Sequence, residues 1–163
     1  GGFTNNFEYK GIDLSIFFQW SYGNDIMNAN RLFFESGNNK SRELNQYASY
    51  ANRWTPENPT SDIPSATDSS SNRVFSSRII EDGSFLRLKN VTLGYTFPAQ
   101  MTRKWKIDKA RVYVAAQNLW TWTSYSGYDP EVSVRSSSAL TPGLDYSSYP
   151  RAYSISFGVS LGF

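Results

Sequence analysis

The sequence predicts an all-β chain: an antiparallel meander of about five long strands. Three observations carry that prediction. Apolar and polar residues alternate by twos through several long stretches. Aromatic residues make up 17% of the 163, with 11 Phe and 11 Tyr, a composition that favours strands and interfaces. The connections between the alternating stretches run short, very long, medium and long.

The first strand is expected over about 3–10, where Phe3, Phe7 and Tyr9 alternate with Thr4, Asn6 and Glu8. Lys10-Gly11 is short enough for a tight turn, with Gly11 free to take positive φ. The second strand, 11–22, puts Ile12, Leu14, Ile16, Phe18, Trp20 and Tyr22 on one face. Asp13, Ser15, Phe17, Gln19 and Ser21 take the other. Its length suits a tilted membrane-crossing strand, which needs about 9 to 11 residues. The rhythm is then lost over 23–83. Asn24-Asp25 suits the cap of a short helix through Ile26, Met27, Ala29, Leu32 and Phe33. Ser41 suits the cap of a second, with Leu44, Tyr47, Ala48 and Ala51 at helical spacing. NRWTPENPTSDIP (52–64) holds three prolines that forbid regular structure, and a polar loop follows.

Alternation returns over 84–97, where Val91, Leu93, Tyr95 and Phe97 oppose Asn90, Thr92, Gly94 and Thr96. Leu86 and Leu88 fall on the polar parity, so a bulge is expected near Lys89-Asn90. Pro98 ends this strand. A basic connection, QMTRKWKIDK, leads to a fourth strand over 110–122, and a Ser-rich loop spans 123–149. In the last strand, 151–163, Tyr153, Ile155, Phe157, Val159, Leu161 and Phe163 share one face. The other face holds only Ala152, Ser154, Ser156, Gly158, Ser160 and Gly162.

In a meander, alternate connections lie at the same end of the sheet. The Lys10-Gly11 turn and the 98–109 connection therefore share one end with Phe163, and the two long loops share the other. Short turns at one end and long loops at the other are the habit of outer-membrane barrels. The long strands with one wholly apolar face fit such a wall, one side to lipid and one to the lumen. Trp20, Trp105, Trp120 and Trp122 then belong near the membrane interfaces, and Arg87 and Lys89 in the lumen or at the upper rim.

Other function classes are disfavoured. Sixteen basic residues against 14 acidic ones give +2 with no basic block, so nucleic acid is not indicated. Cysteine and histidine are absent, which removes disulfides, thiolate metal sites and the commonest catalytic base. Mean hydropathy is −0.50 and no apolar run nears the roughly 20 residues of a spanning helix. GGFTNNFEYKG has no signal-peptide pattern. Asp129 and Glu131 in GYDPE stand at i, i+2 across a proline, which is weak as a carboxylate pair; Asp129 suits capping the turn that Pro130 begins. Catalytic residues, metal ligands and cofactors are therefore not expected. Trp54 reads either as a sugar-stacking platform or as a loop anchor packed against neighbouring helices, with the anchor preferred.

Several stretches in order resemble the C-terminal end of the SusC/RagA family of TonB-dependent outer-membrane transporters of the Bacteroidetes. They are NRWTPENPTSDIP (52–64), DGSFLRLKNVTLGYTFP (82–98), RVYVAAQNLWTWTSYSGYDPE (111–131) and the closing SISFGVSLGF; residues 2–28 are similar in flavour. The resemblance implies a 22-stranded transmembrane barrel plugged by an N-terminal domain, in the outer membrane of a Gram-negative cell. It implies a TonB box on the plug region, a SusD-like surface lipoprotein as lid, and import of glycans or oligopeptides. The helix-containing loop 23–83 and the loop 123–149 would be extracellular. Trp54, Tyr128, Asp129 and Glu131 are the candidate contacts for substrate or lid. The run Phe157, Val159, Leu161 and Phe163 resembles the signal that the barrel-assembly machinery reads in its clients. With five strands, no plug and no TonB box, the chain is expected to be a C-terminal fragment. A soluble β-rich carbohydrate-binding module is the alternative. It would gather aromatics on one patch, whereas here they are spread over every strand.

Overall fold

A computed structural model describes residues 1–36, 44–66, 75–134 and 142–163, with Trp105 described by its backbone. In chain order the elements are β1 (Gly2–Tyr9), β2 (Ile12–Ser21), β3 (Asp25–Asn28), α1 (Asn30–Phe34), β4 (Ile80–Asp82), β5 (Phe85–Thr96), α2 (Ala99–Thr102), β6 (Lys109–Thr123), β7 (Leu144–Asp145) and β8 (Ser154–Gly162). They fall into two compact units. One comprises residues 1–22, 84–124 and 151–163, and the other 23–83 and 125–150.

The first unit is a five-stranded sheet of order β1-β2-β5-β6-β8, antiparallel at every neighbouring pair. Lys10 (φ 48°) and Gly11 (φ 85°) both turn left-handed, as a two-residue hairpin loop requires. A Cβ on Gly11 would lie 2.6 Å from the Thr96 carbonyl oxygen, so the turn admits only glycine without movement. The bulge sits at Lys89. From the Phe17–Asn90–Gln117 row to the Phe18–Leu88–Trp120 row, β2 advances one residue, β5 two and β6 three. Asn118 takes φ 52° to absorb the excess in β6. The even step in β5 reverses its parity and brings Leu88 and Leu86 back to the apolar face, beside Phe18, Trp20, Trp120 and Trp122. Between β5 and β6 the chain forms α2 and a 3-10 turn at Arg103–Trp105, and Lys106 (φ 59°) reverses it into β6. β8 pairs along β6 as far as Lys109↔Gly162, leaving Phe163 one residue past the ladder.

The second unit is irregular but well packed. β3 pairs antiparallel with β4 and parallel with the two-residue β7. Two expectations are corrected here. Residues 25–28 form a strand, and the helix begins only at Asn30. Asn24 does not cap it: its amide donates to the Gly83 carbonyl at 3.1 Å, while the backbone of 25–28 is taken up by two ladders. The second helix is a 3-10 turn, Ala48–Asn52, bonded from Tyr50 N to Tyr47 O (3.0 Å) and ended by extended Arg53. The expected cap at Ser41 lies outside the described residues. Among the described residues the buried apolar side chains are Ile26, Ala29, Leu32, Ile63, Ile79, Tyr125 and Val132 in this unit, and Phe85 alone in the sheet.

No described helix is long and apolar enough to cross a membrane, a test that leaves strands untouched.

Candidate functional site

The sheet carries its apolar groups outward. Pairing aligns them in rows: Phe7–Leu14–Leu93–Val114–Phe157, then Ile12–Tyr95–Val112–Val159, and at the far end Phe18–Leu88–Trp120 and Trp20–Leu86–Trp122. Many of these side chains meet no neighbour that covers them. Phe157 is 84% exposed, Val159 67% and Trp120 61%. A contiguous apolar surface on this scale, running through all five strands, is unlike a water-facing sheet.

The opposite face is polar and built around missing side chains. Asp13 on β2 and Arg111 on β6 form an ion pair across β5, with Nε of Arg111 donating to Asp13 at 3.0 Å. The strand between them offers Gly94, where a Cβ would collide with both partners. Tyr113 lies over Gly158 in the same way, and the Arg111 guanidinium stands 5.1 Å from the Tyr113 ring centre. The tiny face of β8 is therefore room for the large residues of β6.

In the second unit a cleft of about 550 Å³ is lined by Asn28, Arg31, Glu35, Tyr47, Ser49, Glu81, Ser126, Gly127 and Tyr128. Its charges are mutually engaged. Glu35, 4% exposed, accepts from Arg31 (2.9 Å), Arg78 (2.6 Å) and Ser49 (2.7 Å). Glu81 accepts from the Ser126 amide and hydroxyl (2.9 Å each) and from Asn28 (3.0 Å), with Arg31 at 3.6 Å. Burial opposes the Glu81 charge, but these donors outweigh it and hold the carboxyl below its ordinary value. Burial, followed by its 2.6 Å bond to Asp145, pushes the Tyr125 phenol well above its usual range. Burial also raises Tyr47, with Tyr128 and Asp145 adding to it. The cleft thus presents two aromatic rings and fixed hydrogen-bonding groups. Such a set can hold a molecule; it offers no free base. Among the described residues no cluster of three metal-ligating side chains occurs.

The residues singled out from sequence do not share one site. Tyr128 is 83% exposed and lines this cleft and a neighbouring one with Asn30, Phe34, Tyr47 and Tyr149. Asp129 is 3% exposed and accepts from the Glu131 amide at 2.9 Å, closing the turn at Pro130. Trp54 is 42% exposed, its amide bonded to the Ile63 carbonyl at 2.8 Å across the proline-rich loop. Phe157, Val159, Leu161 and Phe163 lie open to the surroundings. Arg87 is buried on β5, and Lys89 is the bulge residue. Trp105's side chain lies outside the description. Sequence reasoning missed Asn28, Arg31, Glu35 and Glu81. Arg31 and Glu35 are four residues apart, on α1 and its C-cap, but the other contacts that build the cleft, Asn28 to Glu81 and Ser126 and Glu35 to Arg78, join positions 43 to 98 residues apart. Asp13 and Arg111 stand on the polar parities of β2 and β6, which also hold Phe17 and Tyr113, and no spacing in the sequence links the two.

An open antiparallel strip with one bare apolar face, one polar face and both long connections at one end defines a piece of a β-barrel wall with its loops. No family model matches the chain. Relatives do match over its whole length. The TonB-dependent receptor P3 of Formosa agariphila is 37% identical over 99% of this chain and 16% of its own. The TonB-dependent receptor SusC of Bacteroides thetaiotaomicron is 29% identical over 99% and 15%. A solved structure of the RagAB peptide transporter superposes with a TM-score of 0.81 at 32% identity, covering 99% of this chain and 17% of that one. The RagAB importer in its open-open state matches equally, at 0.81 and 33% identity. The chain matches a segment of the TonB-dependent receptor barrel, of the SusC and RagA kind, and spans about a sixth of the length of the curated relatives it matches. These relatives are named as TonB-dependent receptors and as a peptide transporter.

Proposed function

We propose that the chain is the C-terminal barrel segment of a TonB-dependent outer-membrane transporter. The observation that carries this reading is the bare apolar face running through all five strands, which a bilayer would cover and water would not. Strands β1, β2, β5, β6 and β8 are membrane-crossing on this reading, and 23–83 and 123–149 are extracellular loops. The parent imports glycans or oligopeptides. Its partners are a SusD-like surface lipoprotein, TonB acting through a plug region, outer-membrane lipid and the barrel-assembly machinery. The matches to SusC and to the RagAB peptide transporter support the transporter reading. Of the four loop candidates, Tyr128 has the most open position for touching cargo or lid, Trp54 the next, and Asp129 and Glu131 serve by shaping the turn beneath Tyr128. Phe157, Val159, Leu161 and Phe163 are the assembly signal. The soluble binding-module reading is disfavoured because its aromatics would be gathered on one patch.

The test is topological. Cysteines placed at Tyr128 and Tyr149 of the parent protein should react with an impermeant maleimide on intact cells, against a background free of cysteine in this segment. A cysteine at Lys104 should react only once the outer membrane is opened. Labelling of Lys104→Cys on intact cells would overturn the orientation, and equal labelling of all three in a soluble fraction would overturn the membrane reading.

A further inference from the structure

We infer that the basic connection at the short-turn end of the sheet grips the headgroups of anionic phospholipids at the edge of the bilayer. This rests on the barrel-wall reading proposed above.

The observation is where the charge lies. Lys10 sits in the β1–β2 turn, Arg103, Lys104 and Lys106 sit between α2 and β6, and Lys109 opens β6. All five are exposed. The acids nearby are Glu8, Asp13 and Asp108, and Asp13 is held by Arg111. Lys109 and Glu8 share the polar face of Arg111 and Asp13. The turn and the connection themselves therefore offer Lys10, Arg103, Lys104 and Lys106 against Asp108, an excess of three.

The setting of that charge favours a lipid surface. The outward apolar face ends here in Tyr9 (69% exposed), Leu161 and Phe163 (85% exposed). Met101, on α2 two residues before Arg103, is itself 51% exposed. An edge with aromatic and thioether groups beside long cationic side chains matches the layered chemistry of a bilayer, acyl chains first and phosphates next. Lysine and arginine stems lie along the apolar boundary while their charges reach the phosphates. A solvated turn made only for solubility would need neither the net excess nor the apolar neighbours. Lys106 is held in a left-handed conformation (φ 59°), and the Ile107 amide bonds to the Thr102 carbonyl at 3.2 Å. The connection that carries the three central cations is therefore fixed in shape. The attraction acts over about 8 Å at physiological salt, so the cations must sit at the headgroups to be felt.

The experiment uses the full-length transporter reconstituted in phosphatidylcholine with spin-labelled lipids. The fraction of labelled phosphatidylglycerol held motionally restricted at the protein is compared with that of labelled phosphatidylcholine. The wild type should prefer phosphatidylglycerol by roughly fivefold, and the preference should shrink as salt rises. A triple variant, Arg103→Gln with Lys104→Gln and Lys106→Gln, should bring the ratio to near one. Lys104→Arg with Lys106→Arg should keep it, which separates charge from fold. Inorganic phosphate should not displace the lipid, since a free anion lacks the apolar half of the contact. No preference in the wild type, or one unchanged in the triple variant, overturns the inference; an unchanged preference would send these cations to an acidic protein segment instead. Absence of any restricted lipid, of either kind, would instead sink the barrel-wall reading.

Discussion

The two units of this chain solve the hydrophobic problem in opposite ways. The sheet is regular, with a continuous ladder from β1 to β8, yet among the described residues it buries one large apolar side chain, Phe85. The loop unit is irregular, with strands of two to four residues, yet among its described residues it buries seven apolar ones and a charged network around Glu35. Regularity and core are thus uncoupled. A sheet can leave its apolar face bare only if something outside the chain covers it, whereas loops that meet water must bury their own. Backbone hydrogen bonds hold the first unit and side chains hold the second.

The contrast is broken most severely inside the loops. Ile26 is fully buried, in contact with Tyr125 and Val132, so Ile26→Ala should cost about 2–5 kcal/mol, transfer and cavity together. Ile155→Ala on the outward face should cost about 2 kcal/mol at most, because lipid fills the space and no cavity remains. Denaturant titration of the reconstituted parent, followed by proteolysis of each region, measures both. If alanine at Ile155 leaves a cavity-sized loss, the outward face is packed against protein.

The next effect belongs to the wall. Arginine at Leu93 should destabilise the folded barrel by roughly 2–4 kcal/mol if it lies near the bilayer midplane. Its neighbour Thr92 faces the other way, and arginine there should be tolerated far better. The ratio of folded to unfolded bands of membrane samples on a cold gel reports each. Equal loss at both positions would mean that the sheet buries two faces rather than one.

A smaller effect sharpens the loop side. The Glu81 carboxyl is held below its ordinary value of 4.5. A depressed carboxyl contributes stability that is whole above the unfolded value and lost as pH falls through the folded one. Glu81→Gln should therefore lower the thermal midpoint of the loop region at neutral pH, and the wild-type and variant curves should converge in acid. Curves that stay parallel down to about pH 3 would show that the carboxylate charge contributes nothing.

The wall was legible in the sequence because its physics is local. A period of two needs only neighbouring residues, and even the bulge announced itself when Leu86 and Leu88 fell out of phase. The loop unit was much less so. Asn24-Asp25 satisfies the rule for a helix cap, but its segment is claimed by β4 and β7, which lie far along the chain. The cleft is assembled from Arg31, Glu81 and Ser126, and no spacing rule links such distant positions. Tyr128 stood out through its motif, and its openness comes from the turn that Asp129 closes. What depends on short-range pattern could be read, and what depends on tertiary pairing could not.

The central claim is that one face of the sheet meets lipid and the other meets water. Spin labels at Ile16, Leu93 and Val159, and at Ser15, Thr92 and Ser160, in the reconstituted parent protein test it directly. Pairing places the first three on the outward face and the second three on the polar one. Lipid-soluble oxygen should relax the labels at 16, 93 and 159 strongly, and a water-soluble nickel chelate should reach only those at 15, 92 and 160. A chelate that reaches all six alike would contradict the account.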